Sequence, residues 1–239
     1  MKKFKIPVAE REMIFPVILL VILGVVIWVF TYFFVPWRYT WIGGLATGFC
    51  LILFFAIAYF YRDPERKIKL VKGAILSPAD GKIVSIEEGV EVKDIKGKFK
   101  KVSIFLSLFD VHIQRMPIDG SIESIKRIKG TFLPAFKSEA GEKNSQNIFV
   151  IKGEIPIVVK QIAGFFVQKA VAWVKEGDSL KAGDRIGMIR FSSRVEIYLP
   201  SSVTLDVVVG MKVFAGETII GYIKSKESKK SKESKKVKK

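Results

Sequence analysis

Two long uncharged runs near the N-terminus constrain the fold more than any other feature of this chain. Residues 13–37 carry no charge, and after Arg38 a second uncharged run extends over residues 39–61. Each run is longer than the about 20 residues that a helix needs to cross a hydrocarbon core of roughly 30 Å. A secretory signal has one short apolar core and a small-residue cleavage site, which two full-length runs do not match. The sequence therefore predicts a transmembrane helical hairpin over residues 13–61.

Basic residues flank this hairpin on both outer sides. Four lie in residues 1–12 and five in residues 62–72, whereas the turn between the two runs holds only Arg38. By the positive-inside rule, this distribution predicts that both ends of the hairpin are cytoplasmic. We expect a basic cytoplasmic N-terminus over residues 1–12 and a cell-membrane protein whose main domain faces the cytoplasm.

A large part of the formal net charge of +17 lies at the other end of the chain. Residues 224–239 hold nine lysines and two glutamates and so contribute +7. This lysine-rich tail has almost nothing to bury, and its composition predicts disorder. It is either a solvated charge run or a segment attracted to an anionic membrane surface. Nucleic acid is disfavoured as a partner, because the aromatic residues concentrate in the apolar runs and do not alternate with surface Lys or Arg.

The region between hairpin and tail, residues 62–223, has the pattern of a mainly β domain. Short runs rich in Val and Ile alternate with Gly, Pro, Asp and Lys, which is typical of strands and turns. Room for one helix remains near residues 165–174. The predicted strands are residues 74–76, 82–86, 101–106, 121–128, 148–151, 155–161 and 195–198.

An internal repeat lies within this domain. Residues 177–186 match residues 210–219 in the frame Gly-x-x-apolar-x-Ala-Gly-acid-x-Ile. Glycines at fixed offsets permit tight turns, so each copy predicts a strand, a turn and a strand. Two such copies resemble the halves of a barrel-sandwich hybrid, the architecture of biotinyl and lipoyl carrier domains. A carrier presents a modifiable lysine at a hairpin tip, and the stretch between the copies has none, which disfavours a carrier-like adaptor.

Few residues could carry chemistry. The chain has one cysteine, Cys50 in the second apolar run, and one histidine, His112, which excludes a zinc or iron–sulfur site built from soft ligands. Taken singly, a lone histidine beside strands, such as His112, is more often structural than catalytic. Asp80 alone suits a Pro-x-Asp-Gly turn between two strands. Taken with the adjacent serines Ser192 and Ser193, they form the minimum Ser, His and Asp set that activates a hydroxyl nucleophile.

The order of several motifs resembles the phosphatidylserine decarboxylase proenzymes, in their short membrane-anchored form, or the related archaetidylserine decarboxylases. The resemblance covers almost the whole chain. Its motifs are the two apolar runs, Arg-Asp-Pro-Glu-Arg at residues 62–66, Ser-Pro-Ala-Asp-Gly at 77–81, the His112 segment at 105–117, Gln-Ile-Ala-Gly at 161–164, Trp-Val-Lys-Glu-Gly-Asp at 173–178 and Arg190 to Pro200.

The resemblance implies a reaction and a site. In that family the chain cleaves itself before a serine, which becomes a covalent pyruvoyl group. Here the break would fall between Ser192 and Ser193, with His112, oriented by Asp80, taking the proton from the Ser193 hydroxyl. The mature enzyme would be a pyruvoyl-dependent carboxy-lyase that converts phosphatidylserine to phosphatidylethanolamine and carbon dioxide. Its implied partners are a serine phospholipid, an anionic membrane surface and its own two fragments as subunits.

This chain departs from the family pattern at three places, one of which, Asn-Ser-Gln at residues 144–146 in place of Asn-Glu-Arg, has no physical explanation. Ser192 replaces a glycine, which predicts slow or absent self-cleavage, because glycine tolerates a strained backbone that a residue with a Cβ resists. Arg115 stands where longer bacterial members have a second histidine, so Arg115 and Asp110 are candidates to assist His112. A catalytically silent protein that binds serine lipid or a partner is the alternative that Ser192 supports. Exposed β edges also favour a homodimer.

Overall fold

The computed structural model describes residues 8–68, 71–92, 95–131, 133, 139–164, 170–190 and 193–223. The chain divides into two compact units, one ending at Pro64 and the other beginning at Glu65. The predicted lysine-rich tail of residues 224–239, the lysines among the first seven residues and Ser192 lie outside the described residues.

The first unit consists of two helices, α1 (Val8–Phe34) and α2 (Thr40–Phe60), joined by a short 3-10 turn at Trp37–Tyr39. Ile14–Phe34 and Trp37–Phe60 are long and apolar enough to cross a membrane, by length and composition. The helices approach closely at Gly43, where a Cβ would overlap the side chain of Thr31. Small residues at a contact allow apolar helices to pack tightly where no water drives their association.

The second unit is built almost entirely from strands. A single short helix, α3 (Ala140–Lys143), interrupts them among the described residues. The strands are β1 (Ala74–Leu76), β2 (Gly81–Val92), β3 (Ile95–Leu106), β4 (Ile113–Arg115), β5 (Gly120–Ile128), β6 (Gln146–Gly153), β7 (Pro156–Ile162), β8 (Ala170–Ala172), β9 (Ser179–Leu180), β10 (Arg185–Ile189), β11 (Ser193–Pro200), β12 (Thr204–Leu205), β13 (Lys212–Val213) and β14 (Ile219–Tyr222).

These strands form three antiparallel sheets. The largest has the order β13-β2-β3-β11-β7-β6-β5-β9, and the two smaller ones have the orders β1-β14-β12 and β4-β10-β8. Apolar side chains from all three sheets pack into one buried core, which includes Ile75, Ile104, Phe149, Ile189 and Ile197. The prediction of a mainly β domain behind two apolar helices is confirmed, and across the described residues the sheets stay open and do not close into a barrel.

All seven strands predicted from the sequence overlap observed strands. The predicted helix near residues 165–174 is wrong at Ala170–Ala172, which form β8 against β10. Residues 173 and 174 are not helical either, and residues 165–169 lie outside the described residues. Pairing with a neighbouring strand supplies backbone hydrogen bonds that local sequence patterns cannot reveal.

The internal repeat forms a strand, a turn and a strand in each copy, β9 to β10 and β13 to β14. Its four glycines adopt the left-handed conformation that the turns require, with φ of 86° at Gly177, 89° at Gly183, 92° at Gly210 and 74° at Gly216. A side chain at such a φ costs roughly 1–2 kcal/mol, which explains why both copies retain glycine at both offsets.

The structure also exposes a second repeat, which sequence inspection missed. Residues 77–81 recur 39 residues later as Met-Pro-Ile-Asp-Gly. Asp80 Oδ1 accepts a 2.8 Å hydrogen bond from the backbone N–H of Ala215, and Asp119 Oδ1 accepts one of the same length from Ala182. Ala215 and Ala182 are equivalent alanines of the first repeat. Each half of the unit therefore combines one Pro-x-Asp-Gly turn with one Ala-Gly turn.

The register of β2, β3 and β11 brings three strand ends together. Lys82 of β2 and Arg194 of β11 both pair with Phe105 of β3, from opposite sides. Neighbouring strands lie about 4.8 Å apart, so Lys82 and Arg194 are roughly 10 Å apart across β3. Because the strands are antiparallel, the start of β2, the end of β3 and the start of β11 occupy the same end of the sheet.

Gly81 opens β2 at this end and should be intolerant of substitution. Its φ is 146°, and a Cβ there would overlap the backbone carbonyl of Phe105. Gly89 lies on the same strand with a φ of 75°, and a Cβ there would meet nothing within 4 Å. Both Gly→Ala changes incur backbone strain of about 1–2 kcal/mol, and overlap with a fixed carbonyl adds about 1–3 kcal/mol for Gly81→Ala alone.

Thermal melts of Gly81→Ala and Gly89→Ala, recorded side by side in the same detergent, measure this difference. We expect the lower Tm for Gly81→Ala. Equal Tm values would show that the carbonyl of Phe105 moves aside at no cost.

Candidate active site

The residues predicted to act together are carried by the three strand ends just described. Asp80 immediately precedes β2, the segment from Ser107 to His112 immediately follows β3, and Ser193 is the first residue of β11. The backbone carbonyl of His112 also accepts a 3.1 Å hydrogen bond from Ile189, the last residue of β10. The fold thus gathers Asp80, His112 and Ser193 at one end of the large sheet, although the first and the last lie 113 positions apart in the sequence.

Ser193 is fully buried, with 0% of its surface exposed. Its backbone lies between β3, where it pairs with Leu106, and the start of the β7 pairing at Arg194. Its Oγ has no hydrogen-bond partner among the described residues. A buried hydroxyl left in this way costs about 1–3 kcal/mol relative to a satisfied one. Native proteins seldom leave such a group at a purely structural position, so Ser193 is a candidate for chemistry.

His112 is also fully buried, and its ring orientation is fixed. Its Nδ1 lies 2.9 Å from the backbone carbonyl oxygen of Asp110. A carbonyl oxygen only accepts, so Nδ1 is the nitrogen that carries the proton and donates. In the neutral ring the lone pair is therefore on Nε2. This tautomer makes Nε2 the basic atom of the side chain.

A chain of buried amides supports the backbone of His112. Gln114 donates through Nε2 to the His112 carbonyl at 2.9 Å, and Gln161 donates to Gln114 Oε1 at 2.7 Å. Asn147 completes the chain by donating to Gln161 Oε1 at 2.9 Å and to the backbone carbonyl of Ala170 at 3.0 Å. Polar groups at this depth are stable only when paired, so the chain holds the histidine segment in one position.

Asp80 is buried beside a cation that the sequence did not point to. Arg66 Nη2 donates to both carboxylate oxygens of Asp80, at 2.9 and 2.8 Å, and the pair is nearly inaccessible to solvent. Burial raises the pKa of the Asp80 carboxyl above its ordinary value, although the Ala215 N–H and Arg66 act in the opposite direction. The negative charge of Asp110 raises that pKa as well, so these two carboxylates interact electrostatically.

The two residues predicted to assist His112 have distinct surroundings. The Asp110 carboxylate accepts from the backbone N–H and the hydroxyl of Ser107, at 2.9 and 2.6 Å, which closes the turn before His112. Arg115 Nη1 donates to the carbonyl of Gly183, 3.0 Å away, in the turn of the first repeat. Asp110 thus shapes the histidine segment through both its side chain and its carbonyl, whereas Arg115 holds a turn.

Three contacts at this end of the sheet escaped sequence analysis. Arg66 belongs to a motif that was noticed without a role, and it also binds Glu217 Oε2 at 3.2 Å. Hydrogen bonds from the Lys67 backbone N–H and from Arg66 hold the pKa of the Glu217 carboxyl below its usual range. The side chain of Lys212 lies 3.6 Å from Asp110 Oδ1. Sequence separations of about 100 residues or more leave no spacing signal for such pairs.

In the part of the chain that the structure describes, no group of three or more His, Cys, Asp or Glu side chains is arranged to hold a metal ion.

Removal of Arg66 should destabilise the protein in a pH-dependent way. In Arg66→Gln the Asp80 carboxylate stays buried without its counter-charge, so its pKa rises further. A carboxyl whose pKa is higher in the folded than in the unfolded chain loses stability as pH rises through the folded value. We expect a loss of about 3–5 kcal/mol at pH 8, typical of a broken buried pair, and a smaller loss near pH 5.

Urea unfolding in detergent at the two pH values measures this difference. Lys100→Gln is the matched control, because Lys100 pairs at 3.2 Å with Glu88, whose side chain is 71% exposed. Such a pair contributes at most about 1 kcal/mol, and we expect little change with pH. Equal losses at pH 5 and pH 8 for Arg66→Gln would contradict the assignment.

Comparison with known proteins matches this arrangement to one family. A sequence model described as phosphatidylserine decarboxylase matches residues 53–221, a span that includes Asp80, His112 and Ser193. The chain is 44% identical over 187 residues to the phosphatidylserine decarboxylase proenzyme of Carboxydothermus hydrogenoformans, which covers 77% of this chain and 85% of that protein.

Two further proteins of the same name are similar over comparable lengths. The proenzyme of Desulfotalea psychrophila is 41% identical over 186 residues, 77% of this chain and 84% of that protein. The proenzyme of Citrifermentans bemidjiense is 37% identical over 193 residues, 80% of this chain and 83% of that protein. Identity at this level over most of both partners establishes kinship, and the chain belongs to the phosphatidylserine decarboxylase family.

Proposed function

We propose that this chain is the proenzyme of a phosphatidylserine decarboxylase that cleaves itself between Ser192 and Ser193 and then releases carbon dioxide from a serine phospholipid. The observation that carries the proposal is the buried Ser193 hydroxyl, which has no partner among the described residues and lies at the same sheet end as His112. Family membership supplies the reaction class.

The tautomer of His112 and its position at the same sheet end as Ser193 support the following first step. Nε2 of His112 takes the proton of Ser193 Oγ, and Oγ attacks the carbonyl carbon of residue 192. The amide bond between residues 192 and 193 breaks as an ester forms, and the proton passes to the freed amine. The proposed role of Asp80, which lies at the same sheet end, is to stabilise the imidazolium that exists between these two transfers. The carbonyl of Asp110 keeps the ring in the required tautomer throughout.

The second step divides the chain. Loss of the α-proton of residue 193 expels the ester oxygen, which leaves residue 192 with a free carboxylate and residue 193 with a carbon–carbon double bond. Addition of water and loss of ammonia then convert residue 193 to a pyruvoyl group. Ser193 fits this precursor role, because its hydroxyl is placed at the first position of β11 with no structural bond that the reaction would have to break.

In the mature enzyme the pyruvoyl carbonyl would condense with the substrate amine and accept the electron pair left when carbon dioxide departs. The protein's own contribution is to hold residue 193 in a dry site and to keep His112 available for proton transfer. The chain shows that dryness, since Ser193 and His112 are both fully buried.

In this scheme the protein resides in the cell membrane, with the catalytic domain on the cytoplasmic side. A two-chain lipid does not readily leave the bilayer, so an enzyme acting on it has to remain there. The apolar helices α1 and α2 are suited to that task by length and composition. Basic residues near the membrane favour an anionic serine lipid over its zwitterionic product. Either ester-linked or ether-linked lipid chains fit this scheme, and a homodimer is compatible with it.

Self-cleavage is tested first by the intact mass of the purified chain after incubation in detergent. We expect fragments of residues 1–192 and 193–239, formed slowly because Ser192 stands where the family has glycine, the smaller one beginning with pyruvoyl instead of serine. Ser193→Ala and His112→Asn should stay uncut; Asn keeps a donor for the Asp110 carbonyl but provides no base. Because glycine tolerates a strained backbone that serine resists, we expect Ser192→Gly to cleave roughly 5- to 150-fold faster, equivalent to a barrier lower by about 1–3 kcal/mol.

The outcome also separates this proposal from a silent lipid-binding protein. Cleavage of either this chain or Ser192→Gly supports the proenzyme. If both stay intact under conditions in which they are folded, self-cleavage is ruled out and lipid binding without turnover becomes the better explanation of the fold.

Asp80 can be tested against its structural twin. Asp80 and Asp119 each accept a backbone N–H from an Ala-Gly turn, but Asp80 is 4% exposed and Asp119 is on the surface. We expect Asp119→Asn to self-cleave at the rate of the parent and Asp80→Asn to be slowed at least tenfold, equivalent to about 1.4 kcal/mol of barrier. Cleavage rates by gel densitometry, with Tm values to monitor folding, provide the comparison. Equal rates would assign Asp80 a turn-forming role only.

A further inference from the structure

Exposed apolar side chains concentrate at one place on the catalytic unit, beside the candidate site. We name this group the apolar rim and define it by six residues that are between 37% and 75% exposed: Leu108, Phe109, Val208, Val209, Met211 and Phe214. Scattered apolar residues are ordinary on a protein surface, but a contiguous group of large ones marks an interaction surface.

The rim is contiguous because two loops meet at Lys212. The first loop follows β3 and carries Leu108 and Phe109. The other four rim residues flank β13, three before it in the second loop and Phe214 directly after it. The ammonium of Lys212 lies 3.6 Å from Asp110 Oδ1 in the first loop and 5.8 Å from the ring centre of Phe214. Met211 accepts a 2.9 Å backbone hydrogen bond from Ile83, which ties the second loop to β2.

The internal repeat shows that these apolar residues are not needed for the turn itself. In the frame shared by the two copies, Phe214 occupies the position of Lys181, and Met211 occupies the position of Asp178. Both copies make the same turn, with glycine at positive φ at the same offsets. Only the copy beside Asp80 and His112 has apolar residues at these two positions. The turn does not require them, so we attribute them to the neighbouring site.

The chemistry of the rim fits a bilayer better than a second protein chain. Lys82 and Lys212 are exposed and paired across β2 and β13, so basic side chains accompany the apolar ones. Apolar residues flanked by lysines are typical of segments that lie in the interface of an anionic membrane. The edge strand β13 has two residues, too few to add a strand from another copy. The same chain also carries two helices apolar enough to span a membrane.

We propose that the apolar rim inserts into the headgroup boundary of an anionic bilayer and docks the catalytic unit on it. Phe109 lies in the loop that leads directly into Asp110 and His112, so docking would hold the histidine segment at the depth of the lipid headgroups. The choice of a lipid surface as partner rests on the proposed function, which requires a substrate embedded in that surface.

The test uses the full chain, made cysteine-free by Cys50→Ser and reconstituted in vesicles of phosphatidylcholine and phosphatidylglycerol. Phe109→Cys and Phe214→Cys each receive an environment-sensitive dye, and Lys181→Cys, at the equivalent turn of the first repeat, is the matched control. We expect blue-shifted emission and quenching by nitroxide-labelled lipid at positions 109 and 214, and aqueous emission without quenching at 181.

Two outcomes would overturn the inference. Identical aqueous emission at all three positions would show that the rim stays in water. A blue shift without quenching by nitroxide lipid, together with a doubled mass in detergent, would assign the rim to a second copy of the chain. The readout needs no turnover, so it can be repeated on the Ser193→Ala chain. Docking without decarboxylation in both this chain and Ser192→Gly would remove the proposed function alone, and decarboxylation without docking would remove this inference alone.

Discussion

The pairing of β3 with both β2 and β11 is the constraint on which the rest of the site depends. Lys82 and Arg194 share one partner, Phe105, and that register fixes where each strand begins or ends. A slip of one residue in β11 would turn Ser193 to the other face of the sheet. The strand register sets where Asp80, His112 and Ser193 lie. The other contacts at this end, including the Asp110 carbonyl that orients the His112 ring, fix the side chains within that arrangement.

Burial affects the carboxyl groups near the site to different extents. The Asp80 carboxyl is buried deeply enough that its pKa rises despite an arginine and a backbone N–H. Glu217, which shares Arg66 with Asp80 but is more exposed, responds in the opposite direction. One guanidinium therefore serves two carboxylates in unlike surroundings. The side-chain amides of Gln114, Gln161 and Asn147 are also buried. Each one donates a hydrogen bond to the next group in the chain that ends at the His112 carbonyl, so they make the histidine segment rigid.

The sequence predicted more of the strands than of the contacts. Runs of Val and Ile located β1, β3 and β11, and the glycine frame predicted both repeat turns, because these signals are local. The pairing of Arg66 with both Asp80 and Glu217 depends on the folded path of the chain, which no spacing rule encodes. The helix expected near residues 165–174 failed at β8 for the same reason, since its pairing with β10 overrode local preference. The roles of Asp80, His112 and Ser193 stay predictions. The Asp80 carboxylate was expected to orient His112, but the contact seen at Nδ1 of His112 is the carbonyl of Asp110, and the Asp80 carboxylate bonds Arg66 and the Ala215 N–H.

The central position of β11 has a consequence for what a break before Ser193 would produce. The piece that starts at residue 193 contributes β11 between β3 and β7, β13 beside β2, and β14 beside β1. Its strands and those of the longer piece would be interwoven in one hydrophobic core, with no surface along which the two could part. Separating the two pieces would require unfolding of the whole β unit. After a break in the backbone, the free energy that holds the two pieces together would therefore be the free energy of folding.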